Sequence, residues 1–392
     1  MRALIASVIW VASGAADLRG QLLDVSAYYF NLGSGSGKSP VSDAGASNFQ
    51  RLRLMWAPDV GPLALDVAYE HALLLNSTDV LGTGSGILVP EASGNRLTLE
   101  WTVDDGDHFS WRHRFDRLSL TLPLGGAIEM SVGRQVVSWA STFILTPADP
   151  FTPFDPSDPF REYRAGVDAF RFQAYPGPFS EIDIVVRPIS AIDGDQITAL
   201  ARGKTNWRGW DLGAWGGVLF DEPAGALSLV GALGPWAVRS EVALRSEAND
   251  VIVRGTVGVD RLFSVWGRDL YLIAEYQHDG FGAASSEDLF DVVMSDPFLR
   301  GELQVLSRDV LAVQASYQIH PLWGVDLLTI TSLVDGSALL SGGGSWSVGS
   351  NSSLRGGFFI GIGDDTFDLS TGFRSEFGAR PSVVYVSLSH FF

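Results

Sequence analysis

Along most of this chain, apolar and polar residues alternate with a period of two. In NFQRLRLMWAP, Leu52, Leu54 and Trp56 share one face while Arg51 and Arg53 share the other. AIEMSVG sets Ile128, Met130 and Val132 against Glu129 and Ser131, and EIDIVVR sets Ile182, Ile184 and Val186 against Glu181, Asp183 and Arg187. WAVRSEVALR sets Trp236, Val238, Val242 and Leu244 against Arg239, Glu241 and Arg245, and LRGGFFIGIG sets Leu354, Phe358, Ile360 and Ile362 against Arg355. Successive side chains of a strand point to opposite faces, so this alternation predicts half-buried β-strands, and no segment sustains a helical period.

Two architectures fit such strands. A soluble sandwich buries the apolar face and wets the polar one. A transmembrane barrel turns the apolar face to lipid and the polar, charged face to its lumen. The connections favour the barrel. Short ones hold Pro, Gly or Asn (APDVGP, PLGG, YPGP, ALGP, HPLWG, GSNSS), whereas residues 34–47, 76–107, 280–298 and 364–381 form long polar ones. Short turns at one end and long loops at the other are the barrel pattern. Trp56, Tyr69, Trp101, Trp111, Tyr175, Trp236, Tyr276 and Tyr317 fall near expected strand ends, as interfacial girdles require. Tracing strands with both termini at one end gives about 18, or about 16 if the weak segments 197–203 and 306–315 do not form. The fold class is therefore all-β, a transmembrane antiparallel β-barrel in a single domain.

Composition narrows the chemistry. The 392 residues carry a net charge of −18 and no cysteine. Acidity disfavours nucleic acid as a partner. Without cysteine there is no disulfide framework and no thiolate-ligated metal site. Lys38 and Lys204 are the only lysines; every other base is arginine, which suits fixed, forked contacts to carboxylates. The start, MRALIASVIWVASGAAD, reads as a secretory signal over residues 1–16, leaving 17–392 as the barrel. No apolar run approaches the roughly 20 residues of a spanning helix.

The end of the chain reads SVVYVSLSHFF, with Val384, Val386 and Leu388 at alternate positions before the final Phe392. It resembles the terminal strand of bacterial outer-membrane barrels, and His390 departs mildly from that pattern. The resemblance implies an outer-membrane location, lipid as surroundings, and recognition of the Phe392 strand by the barrel-assembly machinery.

Residues 146–168, TPADPFTPFDPSDPFREYRAGVD, break the pattern with five prolines, five acids and two arginines. Proline donates no ladder hydrogen bond, so this is not a strand. The wider context, HRFDRLSL…VGRQVVSW…PADPFTPFDPSDPFREYRAGVDAFRF, resembles the alginate-export type of outer-membrane channel over residues 111–188, with Ala140 where those channels often place glycine. The porin arrangement this implies folds one external loop inward, here residues 148–166. Irregular backbone at membrane depth is tolerated only inside protein or along a water-filled cavity. Asp149, Asp155 and Asp158 are then expected to face strand arginines such as Arg117, Arg134 or Arg171, with Arg161 and Arg164 completing the constriction. A stiff external lid or plug is the alternative. Along the lumen, Arg117, Glu129, Arg171, Arg187, Arg239, Glu241, Arg245 and Arg254 are candidate lining residues. Acids such as Glu129, Asp183, Glu241 and Asp260 are expected to neutralise many of the arginines.

Other motifs carry less. GSGSGKS at 33–39 imitates a phosphate-binding loop but has Leu32 where glycine is needed and no following helix. GTGSG at 82–86 has glycine at its centre, not a nucleophilic serine. His108 and His113 lack a third ligand. The acidic loop offers hard oxygens suited to Ca²⁺ but no regular ligand spacing. No metal, cofactor or catalytic constellation is expected. The reading is a passive porin for small hydrophilic or anionic solutes. Its rivals are a closed structural or adhesion barrel, a barrel-type enzyme, and a hydrophobic-solute transporter with an N-terminal plug.

Overall fold

The structure, a computed structural model, describes residues 25–40, 42–77, 94–151, 163–191, 194–247, 250–368 and 372–392. The expected signal segment, residues 78–93 of the second long connection, and Asp155, Asp158 and Arg161 lie outside these residues.

Eighteen antiparallel strands close into one barrel. They are β1 (Val25–Ser36), β2 (Gly45–Trp56), β3 (Leu63–Asn76), β4 (Phe109–Gly125), β5 (Ile128–Gln135), β6 (Val167–Gly177), β7 (Ser180–Ala191), β8 (Gly194–Trp207) and β9 (Trp210–Leu219). The circuit continues with β10 (Glu222–Leu233), β11 (Trp236–Glu247), β12 (Asp250–Val265), β13 (Arg268–Asp279), β14 (Asp309–His320), β15 (Trp323–Ser332), β16 (Ala338–Ser347), β17 (Ser352–Ile362) and β18 (Val383–Phe391). Each strand pairs with its predecessor, and β18 returns to β1 with Tyr28 opposite Phe391 and Ser36 opposite Val383. Both segments that were weak in the sequence are strands, β8 and β14. Closure leaves no open edge, the condition for a sheet to span lipid. A short piece, Glu100–Gly106, pairs with the part of β4 that extends beyond β5.

The alternation resolves as a lipid-facing belt and an inward charged face. On β11, Val242 and Leu244 are exposed, while Glu241 and Arg245 are buried on the other side. On β7, Ile182 and Ile184 are exposed while Asp183, Val185 and Arg187 are buried. An arginine on the lipid face at mid-bilayer would cost about 2–4 kcal/mol, which fixes this register.

The lumen is less polar than alternation alone implies. Tyr28, Phe30 and Leu32 of β1 point inward and pack with Ile144 and Leu145, which come from the segment after β5. On the opposite wall Val185, Ile189 and Leu200 pack with Val137, Trp139 and Phe151 of the same segment. The barrel thus has an internal core, built wherever that segment touches the wall.

Candidate functional site

β5 ends in the GRQ step noted above. Gly133 there has φ +117°, and a Cβ on it would stand 2.2 Å from the Leu118 carbonyl oxygen, so a side chain is excluded. The chain then leaves the sheet at residue 136 and rejoins it at β6. At the return, a Cβ on Gly166 would stand 2.3 Å from the Asp116 carbonyl, so the segment lies against the wall there too.

After the first anchor, residues 139–148 cross the lumen. The Trp139 indole N–H donates to Asp183 Oδ2 on β7 at 2.9 Å. Then the backbone reaches strands far round the barrel. Ser141 N–H and Ala148 N–H donate to the two oxygens of Glu241 on β11 at 2.9 and 3.2 Å. Phe143, Ile144 and Leu145 donate their backbone N–H groups to Glu275 on β13 at 2.7, 2.9 and 2.8 Å. Trp215 on β9 donates its indole N–H to the Ala148 carbonyl at 3.2 Å. Contacts from one segment to β7, β9, β11 and β13 require it to lie inside the barrel. From above, residues 280–308 add Gln304, which accepts from Thr146 N–H at 2.5 Å and donates to the Ile144 carbonyl at 3.2 Å.

The acids divide into two kinds. Most pair with guanidinium groups. Arg171 forks onto Asp183 at 2.9 and 2.7 Å, and Arg254 onto Asp279 at 2.9 and 2.8 Å. Arg134 binds Asp168 at 2.8 Å, Arg239 binds Asp260 at 3.0 Å, and Arg355 binds Asp326 at 2.6 Å. Arg53 bridges Glu70 and Asp116, and Arg114 also reaches Glu70. Glu241 and Glu275 instead collect backbone N–H groups. A buried carboxylate needs opposite charge or donated hydrogen bonds, and here the inserted segment supplies the donors.

This corrects two expectations. Glu241 does not neutralise Arg239 or Arg245; it holds the segment. Asp149 does not face Arg117, Arg134 or Arg171. It is buried within the segment, where it accepts from Arg164 at 2.9 Å and from the Ser138 hydroxyl at 2.8 Å. Those strand arginines already have partners: Arg134 and Arg171 as above, and Arg117 lies 3.9 Å from Asp66. Proline keeps this stretch out of the sheet, but wall acids on its backbone, rather than loop acids on wall arginines, fix its course. The reversal was invisible in sequence because strand alternation places Glu275 inward without saying what it meets.

Other candidates fall at several depths. Arg245 and Arg254 face inward but are buried, with Glu302 of the 280–308 connection paired to both. Arg187 is buried on β7, and Glu129 accepts from the Tyr175 hydroxyl at 3.1 Å. Two further strand arginines, Arg51 and Arg202, also lie on the inward face. Arg51 is buried against the rings of Tyr28 and Phe30 at 5.6 and 5.5 Å, and its Nε and Nη2 have no hydrogen-bond partner. Arg202 is half-buried on the inward face of β8, 5.8 Å from the Trp139 ring centre. Among the described residues neither has a carboxylate within ion-pair distance, and no group of His, Asp and Glu is arranged to hold a metal.

No family model and no curated protein matches the sequence. Solved structures match the fold over nearly its whole length. OccAB1 of Acinetobacter baumannii aligns with TM-score 0.57 at 8% identity, covering 96% of this chain and 98% of its own. OpdK of Pseudomonas aeruginosa, solved with vanillate, gives TM-score 0.54 at 12% identity, covering 94% and 98%. A BenF-like porin from Pseudomonas fluorescens Pf-5 gives 0.54 at 11%, covering 95% and 99%. At these identities the likeness is one of fold. What they share is a closed antiparallel β-barrel.

Proposed function

We propose that this chain is an outer-membrane channel for small anionic solutes, with its passage narrowed by residues 136–151. The observation that carries the reading is the segment fastened across the lumen by Glu241 and Glu275. A segment held at several points by charge-assisted bonds keeps one cross-section, which a size-selective passage needs. The anionic preference rests on Arg202, a half-buried inward cation beside the Trp139 ring with no carboxylate within ion-pair distance among the described residues. A guanidinium beside an aromatic ring suits a planar carboxylate, which it can bind through two parallel hydrogen bonds. One structural neighbour was solved with vanillate, an aromatic carboxylate, and that agrees with this class of solute.

The test is planar-bilayer recording across a salt gradient. The reversal potential should show anion preference, and Arg202→Ala should reduce it. Benzoate-class anions should block the current at lower concentration than their neutral amides. Absence of any conductance would favour the closed structural or adhesion barrel. Cation preference in the wild type would overturn the solute class while leaving a channel.

A further inference from the structure

The outward face is apolar at mid-span around most of the barrel, with Val242, Val257, Val259, Leu311, Val313 and Val386 all exposed there. β1 and β2 depart from this. Because Tyr28, Phe30, Leu32, Arg51 and Arg53 are the buried inward residues, Tyr29, Asn31, Asn48 and Gln50 point outward. Asn31 stands opposite Gln50 in the register, and Asn48 stands opposite Gly33. The side chains form a ladder: Asn31 and Asn48 exchange amide bonds at 3.4 and 3.3 Å, Gln50 donates to Asn48 Oδ1 at 2.9 Å, and the Tyr29 hydroxyl donates to Gln50 Oε1 at 3.3 Å.

The ladder does not use up its own capacity. An amide has two N–H donors, and Asn31 and Gln50 each spend only one on the described residues. Hydrocarbon offers no partner for the remainder, so polar groups at this depth mark a surface that meets protein. Its flanks suit close approach. Gly33, Gly35 and Ala46 are the neighbouring outward positions, and small residues let a second backbone come near while amides bond across the contact. Amides present donors and acceptors in equal measure, so this patch complements itself under a two-fold rotation, the commonest symmetry of homo-oligomers.

We propose that the outward face of β1 and β2 is the contact of a two-fold dimer, with a second copy of this chain as its occupant. Asn31, Asn48 and Gln50 of one copy then bond to the same residues of the other within the membrane. The chain has no cysteine, so single thiols report cleanly. Gln50→Cys, treated in intact outer membranes with a short bis-maleimide, should yield a covalent dimer. Val242→Cys, on the far side of the barrel, should not. Combining Asn31→Leu and Asn48→Leu with Gln50→Leu should convert the purified protein from dimer to monomer by light scattering while its barrel remains heat-modifiable on gels. Three results would overturn the proposal. They are equal crosslinking at Gln50→Cys and Val242→Cys, an adduct at Gln50→Cys only with a different protein or with lipopolysaccharide, or a triple-leucine variant that keeps the wild-type mass.

Discussion

Asp260 and Glu241 sit on adjacent strands, both inward and both buried, yet they are neutralised by different means. Asp260 takes the Arg239 guanidinium at 3.0 Å and the Tyr271 hydroxyl at 2.7 Å, all within the wall. Glu241 takes two backbone N–H groups from a segment that starts across the barrel. The first arrangement is complete once the sheet closes. The second is complete only when the segment is inside. Wall pairs therefore serve the barrel, and the Glu241 and Glu275 cradles serve the passage. Arg239 joins the two regions, since its guanidinium also lies 3.9 Å from the Phe143 ring centre.

The sharpest way to break this division is at a wall pair. Arg53→Met leaves Asp116 buried without its guanidinium, and removing one partner of a buried pair costs about 3–5 kcal/mol. The urea midpoint of the barrel in liposomes should fall accordingly, and an unchanged midpoint would mean that the wall pairs do not carry the barrel.

A cradle should respond in the opposite sense. Replacing Glu241 and Glu275 together with alanine removes the acceptors of five backbone N–H groups. Conductance should rise severalfold and become noisier as the segment loosens, with the urea midpoint falling less than in Arg53→Met because the wall pairs stay intact. A variant that instead fails to assemble would erase the distinction between the two regions.

Within the segment, Asp149→Asn weakens the Arg164 contact, a charge-assisted bond of about 1.5–3 kcal/mol. Faster proteolysis between residues 149 and 164, with the barrel intact, is the expected result. Equal cleavage of mutant and wild type would show that this pair does not order the segment.

The smallest effect concerns the outer connections, where Glu376 repeats the cradle by accepting from Leu306 and Ser307 N–H at 2.8 and 2.9 Å. Burial raises its pKa above the ordinary glutamate value, against the pull of those bonds. The folded form therefore binds its proton more tightly than the unfolded one. Its contribution is fully present below the ordinary value and is lost as pH rises through the raised one. Glu376→Gln should abolish this pH dependence of amide exchange at Leu306 and Ser307, and retention of the dependence would assign it to another group.

Much of this was legible in the chain. Strand alternation placed Arg239, Glu241 and Arg245 on one face, and proline spacing set residues 146–151 outside the sheet, while Val167 and Asp168 at the end of the proline-rich stretch begin β6. Pairings were not legible, because alternation assigns a face and not a neighbour: Glu241 looked like a counterion until the segment was seen beneath it. Tyr28, Phe30 and Leu32 inverted the rule that apolar means lipid, since inserted Ile144 and Leu145 gave them a protein surface to meet. Alternation also left the amides of β1 and β2 without comment, as it cannot say which face is outside.

The central claim is that residues 141–148 narrow a water-filled passage. Single-channel conductance of a protein lacking those residues, compared with wild type in the same bilayer, tests it most directly. The account predicts a severalfold higher conductance from a barrel that still assembles and still shifts on heating. A correctly assembled deletion variant with wild-type conductance would place the constriction elsewhere and contradict it.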